Sequence, residues 1–353
     1  MLQKTSRLLS LDYLRGFFII VIIIDHLYRF PNLYAAITGE GRLWVTAAEG
    51  FVIISGLLIG YVRGYKNKSL PLLEVSKKVW KRAILLYTWL VGATLVYTIL
   101  IWYIPTAGST VWEPIPVGDW RELLTGTFTM SATHVWVYFL HIYAVLLALT
   151  PIVLWMLRHN NVIGVIASSI GGYALGRLLD IEWMQWMPLF YIPAIAGYYF
   201  LFLQQRWHEY KPRQRLLYKR WLFITAGSTL ALSIICTFIV ASNESAIYLN
   251  ALFTKEFSFN VARIPLSFLW FVALAMLFEH YKEVIGRYMG WLLLPFGTRS
   301  LTAYIIHGAV LFALAYVFVD HQSVWYNTLI TTFAIALTWV LVRQKIIQRL
   351  VPQ

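Results

Sequence analysis

The chain has few charged residues and almost no cysteine. Only 13% of its 353 residues are Asp, Glu, Lys or Arg, about half the proportion found in globular domains. The single cysteine, Cys236, excludes an intramolecular disulfide and a cysteine metal cluster. No repeat of fixed period and no extended polar segment interrupts the apolar stretches. These absences indicate one apolar domain over residues 1–353 rather than several soluble ones.

Hydrophobic residues make up 59% of the chain and aromatic residues 17%. Windows of about 20 mostly apolar residues have the length of a membrane-spanning helix. Such windows cover residues 10–29, 43–63, 83–104, 133–157, 161–177, 184–204, 221–241, 263–281, 298–319 and 325–345. The sequence therefore predicts an all-α integral membrane protein with about ten transmembrane helices.

The basic residues predict the orientation of these helices. A net charge of +13 would indicate nucleic acid in a soluble protein, but Lys and Arg gather in the cytoplasmic loops of a membrane protein. With both termini in the cytoplasm, the inner segments hold 22 Lys and Arg and the outer segments hold six. We therefore expect cytoplasmic termini and contact with membrane lipids, and no nucleic acid partner.

The first predicted helix contains most of the unusual charges. A charged side chain near the middle of a bilayer costs about 2.5 to 3.5 kcal/mol, so such residues tend to line sites. Arg15 and His26 are eleven positions apart, which places them on one helix face and roughly 16 Å apart along the axis. The alternatives are that Arg15 snorkels to the inner headgroups and that His26 bonds to a loop.

Two carboxylates lie near His26 in the predicted topology. Glu49 enters the membrane from outside with the second helix and lies about 9 Å deep, so it can hold one tautomer of the imidazole. The alternative is a structural Glu bonded to Ser or Tyr. Asp25 points about 100° away from its neighbour His26, and we expect it to line the substrate site. Deeper in the second helix, Ser55 and Gly56 favour close helix packing.

Two further helices carry polar side chains at i, i+4 and i+7, the spacing of one helix face. These residues are His134, Tyr138 and His141 in the fourth predicted helix, and Ser300, Tyr304 and His307 in the ninth. Such stripes commonly face a bundle interior, and helix packing and substrate lining both remain open for them. The histidines sit on separate helices without the paired spacing of zinc sites, so we expect no metal.

Several segments resemble a known family. RLLSLDYLRGFFIIVIIIDH (7–26), with its Arg-x10-His spacing, resembles the opening of the membrane-bound acyltransferase-3 superfamily. AAEGFVIISGLLIGYVRG (47–64) and KKVWKRAILLYTWL (77–90) are most similar to its OpgC-type branch, whose members succinylate periplasmic glucans. THVWVYFLHIYAVLLALTP (133–151) and GTRSLTAYIIH (297–307) extend the resemblance more weakly.

The resemblance implies a multi-pass O-acyltransferase of a bacterial-type inner membrane. Its donor would be succinyl-CoA or acetyl-CoA from the cytoplasm, its acceptor a glycan or other hydroxyl compound, with no permanently bound cofactor. His26 is then the expected general base and Glu49 the residue that orients it. Arg15 would guide the donor or stabilise charge at the thioester carbonyl. Lys78 and Arg82 would join Arg15 in binding the donor phosphates.

Aromatic residues in the outer loops allow two interpretations. They are Trp112, Trp120, Trp183 and Trp186. At this level tryptophans commonly form an interfacial belt, and a sugar-stacking platform is the alternative.

Two other functions remain open at this stage. The first is a proton-coupled secondary transporter with a relay of intramembrane charges. The relay would consist of Arg15, Asp25, His26 and Glu49. The second is a scaffold without catalysis, in which those charges are structural.

Overall fold

Helices form the regular structure of the described part of the chain, residues 8–104, 115–253, 259–319 and 321–351 of a computed structural model. No strand occurs within these ranges. The helices are α1 (Leu9–Leu27), α2 (Ala47–Lys66), α3 (Leu72–Tyr103), α4 (Trp120–Thr129), α5 (Tyr138–Arg158), α6 (Val162–Leu178), α7 (Met187–Tyr198), α8 (Phe200–Glu209), α9 (Pro212–Ile239), α10 (Glu244–Phe253), α11 (Arg263–His280), α12 (Lys282–Tyr288), α13 (Gly290–Thr298), α14 (Ser300–Val317), α15 (Val324–Arg343) and α16 (Lys345–Leu350).

Each of the ten predicted stretches coincides with a helix, although several boundaries differ. The helix α3 begins at Leu72 rather than at 83, directly after Pro71, because proline is suited to a helix start and the following Lys-rich segment favours helix. The sixth stretch divides into α7 and α8, which meet at an angle of 69°. The helix α5 begins at Tyr138 rather than at 133.

A helix must be long and apolar enough to cross a membrane. Seven helices of the described chain are long and apolar enough to do so, and eight if the bent α7 and α8 pair counts as one span. The helix α1 is a different case, because Asp12, Arg15 and Asp25 lie within its 19 residues. The helix α6 has only 17 residues. Insertion in a membrane and the count of ten spans therefore stay predictions.

Contacts between helices agree with the predicted alternation of their directions. Near one end of α3, the indole of Trp80 donates to the carbonyl of Ala148. Farther along α3, the Thr94 hydroxyl accepts from the backbone N–H of His134, just before α5 begins. Thus α3 and α5, the third and fourth predicted spans, run in opposite directions. The first and ninth spans, α1 and α14, run in the same direction, as their paired side chains show below.

Close helix packing at Gly56 is confirmed. A Cβ atom built on Gly56 would lie 1.9 Å from the carbonyl oxygen of Phe190 in α7. One turn later, a Cβ on Gly60 would lie 1.9 Å from the carbonyl oxygen of Ala194. Only hydrogen fits at these two positions, so the glycines let the backbones of α2 and α7 touch.

The helix α1 is central to the bundle and packs against α2, α11, α13, α14 and α15. Its closest neighbour is α13, a short apolar helix that the sequence analysis missed. A Cβ on Gly16 would lie 2.1 Å from the carbonyl oxygen of Leu293, and one on Gly297 would lie 1.7 Å from that of Asp12. This close contact fixes the position of α1 relative to α13. The chain leads from α13 directly into α14.

We expect Gly56→Val to separate α2 from α7 and to destabilise the protein by about 1–3 kcal/mol, the usual cost of overpacking. Thermal unfolding of the detergent-purified protein measures the change. Gly171→Ala in α6 is the control, because no atom lies within 4 Å of its Cβ position and alanine favours helix. Equal melting temperatures for the two variants would contradict the close-packing account.

Candidate active site

A cavity of about 800 Å³ opens at the end of the bundle where α1 ends and α2 begins. Its walls come from the last turn of α1, the segment 40–48, the C-terminal ends of α6 and α9, the helix α10 and the start of α11. Asp25 and His26 line it together with Trp44, Asn250 and Arg263. The cavity thus combines aromatic, charged and amide side chains around one histidine of α1.

A second and much smaller pocket lies farther into the bundle and contains two cations. Arg15 and Arg82 line it together with Ser300 and Tyr304. The Arg15 guanidinium donates a hydrogen bond to the Ser300 hydroxyl and lies 5.7 Å from the ring centroid of Phe51, within cation–π range. The structure therefore brings together two of the three residues expected to bind the donor.

His26 pairs with a second histidine. Its Nδ1 lies 3.0 Å from Nε2 of His307. The other ring nitrogen of His307, Nδ1, contacts the backbone carbonyl of Tyr304. The indole of Trp136 donates to the carbonyl of His26 at 3.3 Å. The end of α1 is thus bound to α14 through side chains and to the loop before α5 through its backbone.

One face of α14 connects the two pockets. Ser300 contacts Arg15 and His307 contacts His26, so the polar stripe of α14 faces α1. Between them, Tyr304 lines the small pocket, and its ring centroid lies 6.4 Å from that of His26. From the first contact to the second, the residue number rises along both helices, from Arg15 to His26 in α1 and from Ser300 to His307 in α14. The two helices are therefore parallel.

Glu49 has a different environment from the one expected. Its Oε2 accepts from the backbone N–H and hydroxyl of Thr46, which makes a capping box at the start of α2. Its Oε1 accepts from Nε of Arg263 at 2.7 Å, and both side chains are buried. The orienting role expected of Glu49 therefore stays a prediction, and His307 is the residue whose ring nitrogen contacts that of His26.

The sequence contains signals for the contacts of Glu49 with Thr46 and Arg263. Thr46 and Glu49 have the Thr-x-x-Glu spacing of a capping box. Arg263 adjoins the apolar stretch 263–281, where a charge requires a partner. No spacing rule predicts that His307 meets His26, because the two residues are 281 positions apart.

Asp25 occupies the place expected for a substrate-lining residue. It lines the large cavity beside His26, and Gly41 packs closely against its carboxylate. Its Oδ1 is buried and has no hydrogen-bond partner among the described residues. A buried carboxylate oxygen in this state is a ready acceptor for a ligand hydroxyl.

The fourth predicted helix does not form the expected stripe. His134 lies in the loop before α5, where its buried ring packs 5.0 Å from that of Tyr97. Tyr138 donates to the Glu182 carboxylate, and His141 stacks edge-on against Tyr138. His134, Tyr138 and His141 line neither pocket. The helix start at Tyr138 removes His134 from the expected stripe, and the substrate-lining role of the three residues stays a prediction.

Two other expectations also change. Lys78 is exposed one turn before Arg82 on α3 and does not line the small pocket. Of the tryptophans considered as a sugar platform, Trp112 lies outside the described residues, and the other three do not line the large cavity. These three are Trp120, Trp183 and Trp186. Tyr28, Trp44 and Phe253 are the aromatic residues that line it.

The described residues contain no group of three His, Cys, Asp or Glu side chains that could hold a metal ion.

We expect the Glu49–Arg263 pair to be essential for stability. Arg263→Met leaves an uncompensated buried carboxylate and should cost about 3–5 kcal/mol, whereas adding Glu49→Gln should restore part of that loss. Thermal unfolding measures both. Arg42→Met is the control, since the ion pair of Arg42 with Glu40 is exposed and such pairs contribute at most about 1 kcal/mol. A double variant less stable than the Arg263 variant would contradict this account.

Comparison with known proteins identifies the family. No curated protein and no solved structure matches the chain significantly. The family model described as OpgC protein matches residues 7–348, nearly the whole chain. The wider relationship to the acyltransferase-3 superfamily stays a prediction. The OpgC resemblance noted in the sequence is confirmed, and the chain belongs to the OpgC protein family.

Proposed function

We propose that this protein transfers an acyl group from a cytoplasmic acyl-CoA to a hydroxyl group of an extracytoplasmic glycan. Membership in the OpgC family suggests a glucan-modifying acyltransferase. The observation that carries the proposal is the contact of α14 with both Arg15 and His26. It joins a cationic pocket within the bundle to a histidine in a large polar cavity.

The cationic pocket is the proposed donor side. Arg15 and Arg82 line it, and Arg63 lies close enough to Arg82 for their charges to repel. Guanidinium groups form strong charge-assisted hydrogen bonds with phosphates and carboxylates. Arg82 and the exposed Lys78 would attract the CoA phosphates, and Arg15 would lie nearer the thioester. Succinyl-CoA and acetyl-CoA share the phosphates that these cations would bind.

The large cavity is the proposed acceptor side. Its volume, about 800 Å³, is in the range of small-molecule sites and accommodates sugar residues. Asp25 and Asn250 offer hydrogen bonds to hydroxyl groups, and Tyr28 is an exposed ring at the cavity. Such a set of polar and aromatic side chains is suited to a glycan, which presents many hydroxyls and apolar ring faces.

The proposed reaction needs a base for one proton transfer and a group that guides the donor. His26 accepts the proton of the acceptor hydroxyl as its oxygen attacks the thioester carbonyl carbon. The carbon–sulfur bond then breaks, the new ester stays on the glycan, and the CoA thiolate takes the proton from His26 to leave as the free thiol. Arg15, whose partner Ser300 lies two turns before His307 on α14, guides the donor toward His26 through charge-assisted hydrogen bonds.

The predicted location is compatible with this reaction. In a multi-pass protein of a bacterial inner membrane with cytoplasmic termini, Arg82 is near the cytoplasmic side and the large cavity faces outward. The transferred acyl group would then pass from one pocket to the other at Tyr304, which adjoins both Arg15 and His26.

We expect His26→Ala to abolish acyl transfer, with a loss of at least about 100-fold, because general bases contribute about 10²–10⁴. The assay is acceptor-dependent release of free CoA by the purified protein in detergent. His159→Ala, at an exposed position outside both pockets, is the matched control. Full transfer by the His26 variant would refute the proposed base. A wild-type protein that releases no CoA with any glycan acceptor would favour a transporter or a scaffold.

We expect Arg82→Ala to raise the KM for acyl-CoA by about tenfold, the effect of losing one charge-assisted contact of about 1.4 kcal/mol. The kcat should change less, because this residue binds the donor rather than the reacting atoms. Lys77→Ala removes a neighbouring exposed cation from another face of α3 and is the control. Equal KM values for the two variants would contradict a donor-binding role of Arg82.

A further inference from the structure

The contacts of His307 determine which of its nitrogens carries hydrogen. Its Nδ1 contacts the backbone carbonyl oxygen of Tyr304, and a carbonyl oxygen only accepts hydrogen bonds. Nδ1 of His307 is therefore the donor in this contact. In a neutral imidazole, one protonated nitrogen leaves the other as an acceptor. Nε2 of His307 is then a hydrogen-bond acceptor.

The same reasoning extends to His26. Its Nδ1 lies 3.0 Å from Nε2 of His307, a distance typical of N–H hydrogen bonds. Because Nε2 of His307 accepts, Nδ1 of His26 donates. In the neutral ring of His26, the remaining nitrogen, Nε2, then carries the lone pair, which is the state required of a general base.

A doubly protonated His307 is the competing arrangement, and its surroundings disfavour it. His307 is 99% buried, with 1% relative exposure, and its two described ring contacts are a carbonyl oxygen and a second imidazole. Neither carries a negative charge. A buried cation without an opposite charge is costly, so the neutral form of His307 is favoured.

We infer that His307 is a positioning residue that fixes His26 as the Nδ1–H tautomer and thereby directs the basic Nε2 toward the reaction. A series of two hydrogen bonds runs from Nδ1 of His26 to His307, and from His307 to the backbone carbonyl of Tyr304. The arrangement resembles the support of a catalytic histidine by a carboxylate, with a neutral imidazole anchored on a backbone carbonyl in its place. The inference rests on the proposed function only in assigning the base role to His26.

The tautomer is measured without turnover. Protein labelled with ¹⁵N-histidine has eight histidines, and the His26 signal is assigned by its loss in His26→Ala. Solid-state NMR of the resting full-length protein should show His26 protonated at Nδ1. In His307→Leu the signal should become a mixture of tautomers or change to Nε2–H. Protonation of His26 at Nε2 in the wild-type protein would overturn the inference.

Two polar substitutions of similar size test the positioning role in catalysis. A Gln side chain places its terminal oxygen near the position of the histidine Nε2, so His307→Gln can still accept from His26. An Asn side chain extends only to the Nδ1 position and cannot. We expect His307→Gln to retain kcat within about tenfold of wild type and His307→Asn to lose about 100-fold or more, with similar KM values.

These results separate the inference from the proposed function. Equal kcat values for folded His307→Gln and His307→Asn proteins would overturn the positioning role even if His26 is the base. Conversely, His26→Ala with full activity would overturn the base role while leaving the measured tautomer valid. Melting temperatures of the two His307 variants show whether a loss of activity is caused by misfolding. The kcat values are then compared per folded protein, so that misfolding cannot account for a difference.

Discussion

The contact between α1 and α14 is the interaction on which the proposed site depends. An apolar helix interface tolerates polar groups only when they find partners. Here the partners are Ser300 for Arg15 and His307 for His26, on one face of α14. The two polar contacts fix both the register and the parallel direction of the helices. They also place a cation and an imidazole on the same helix interface.

The rest of the bundle supports this contact by close packing. Gly16 and Gly297 allow α1 and α13 to touch, and α13 leads directly into α14. On the other side of the cavity, Glu49 caps α2 and pairs with Arg263 at the start of α11. This buried pair joins two helix ends that border the large cavity. It therefore stabilises a wall of that cavity, close to the proposed chemistry.

Much of the helical plan was predictable, because long apolar windows determine where helices form. The sequence also singled out the stripe of Ser300, Tyr304 and His307, since i, i+4 and i+7 positions share a helix face. Partner identities were not predictable in this way. Glu49 and Arg263 are 214 positions apart, and such pairs depend on how the helices assemble. The same limit applies to His26 and His307.

The errors have physical reasons that differ from one element to another. The segment around His134 is apolar enough for a helix, but its backbone bonds to Thr94 and the helix begins only at Tyr138. The helix α13 was missed because nine residues are too few for a span. Glu49 lies at a predicted depth similar to that of His26, yet its carboxylate contacts Thr46 and Arg263. Depth along a helix does not specify which neighbour a side chain faces.

A structure of the protein with a thioether analogue of acyl-CoA tests the central claim most directly. The account predicts that the acyl carbon binds between Arg15 and His26, beside Tyr304, with the nucleotide end toward Arg82. His26 should keep its contact with His307 in that complex. An acyl end bound away from the interface of α1 and α14 would contradict the account.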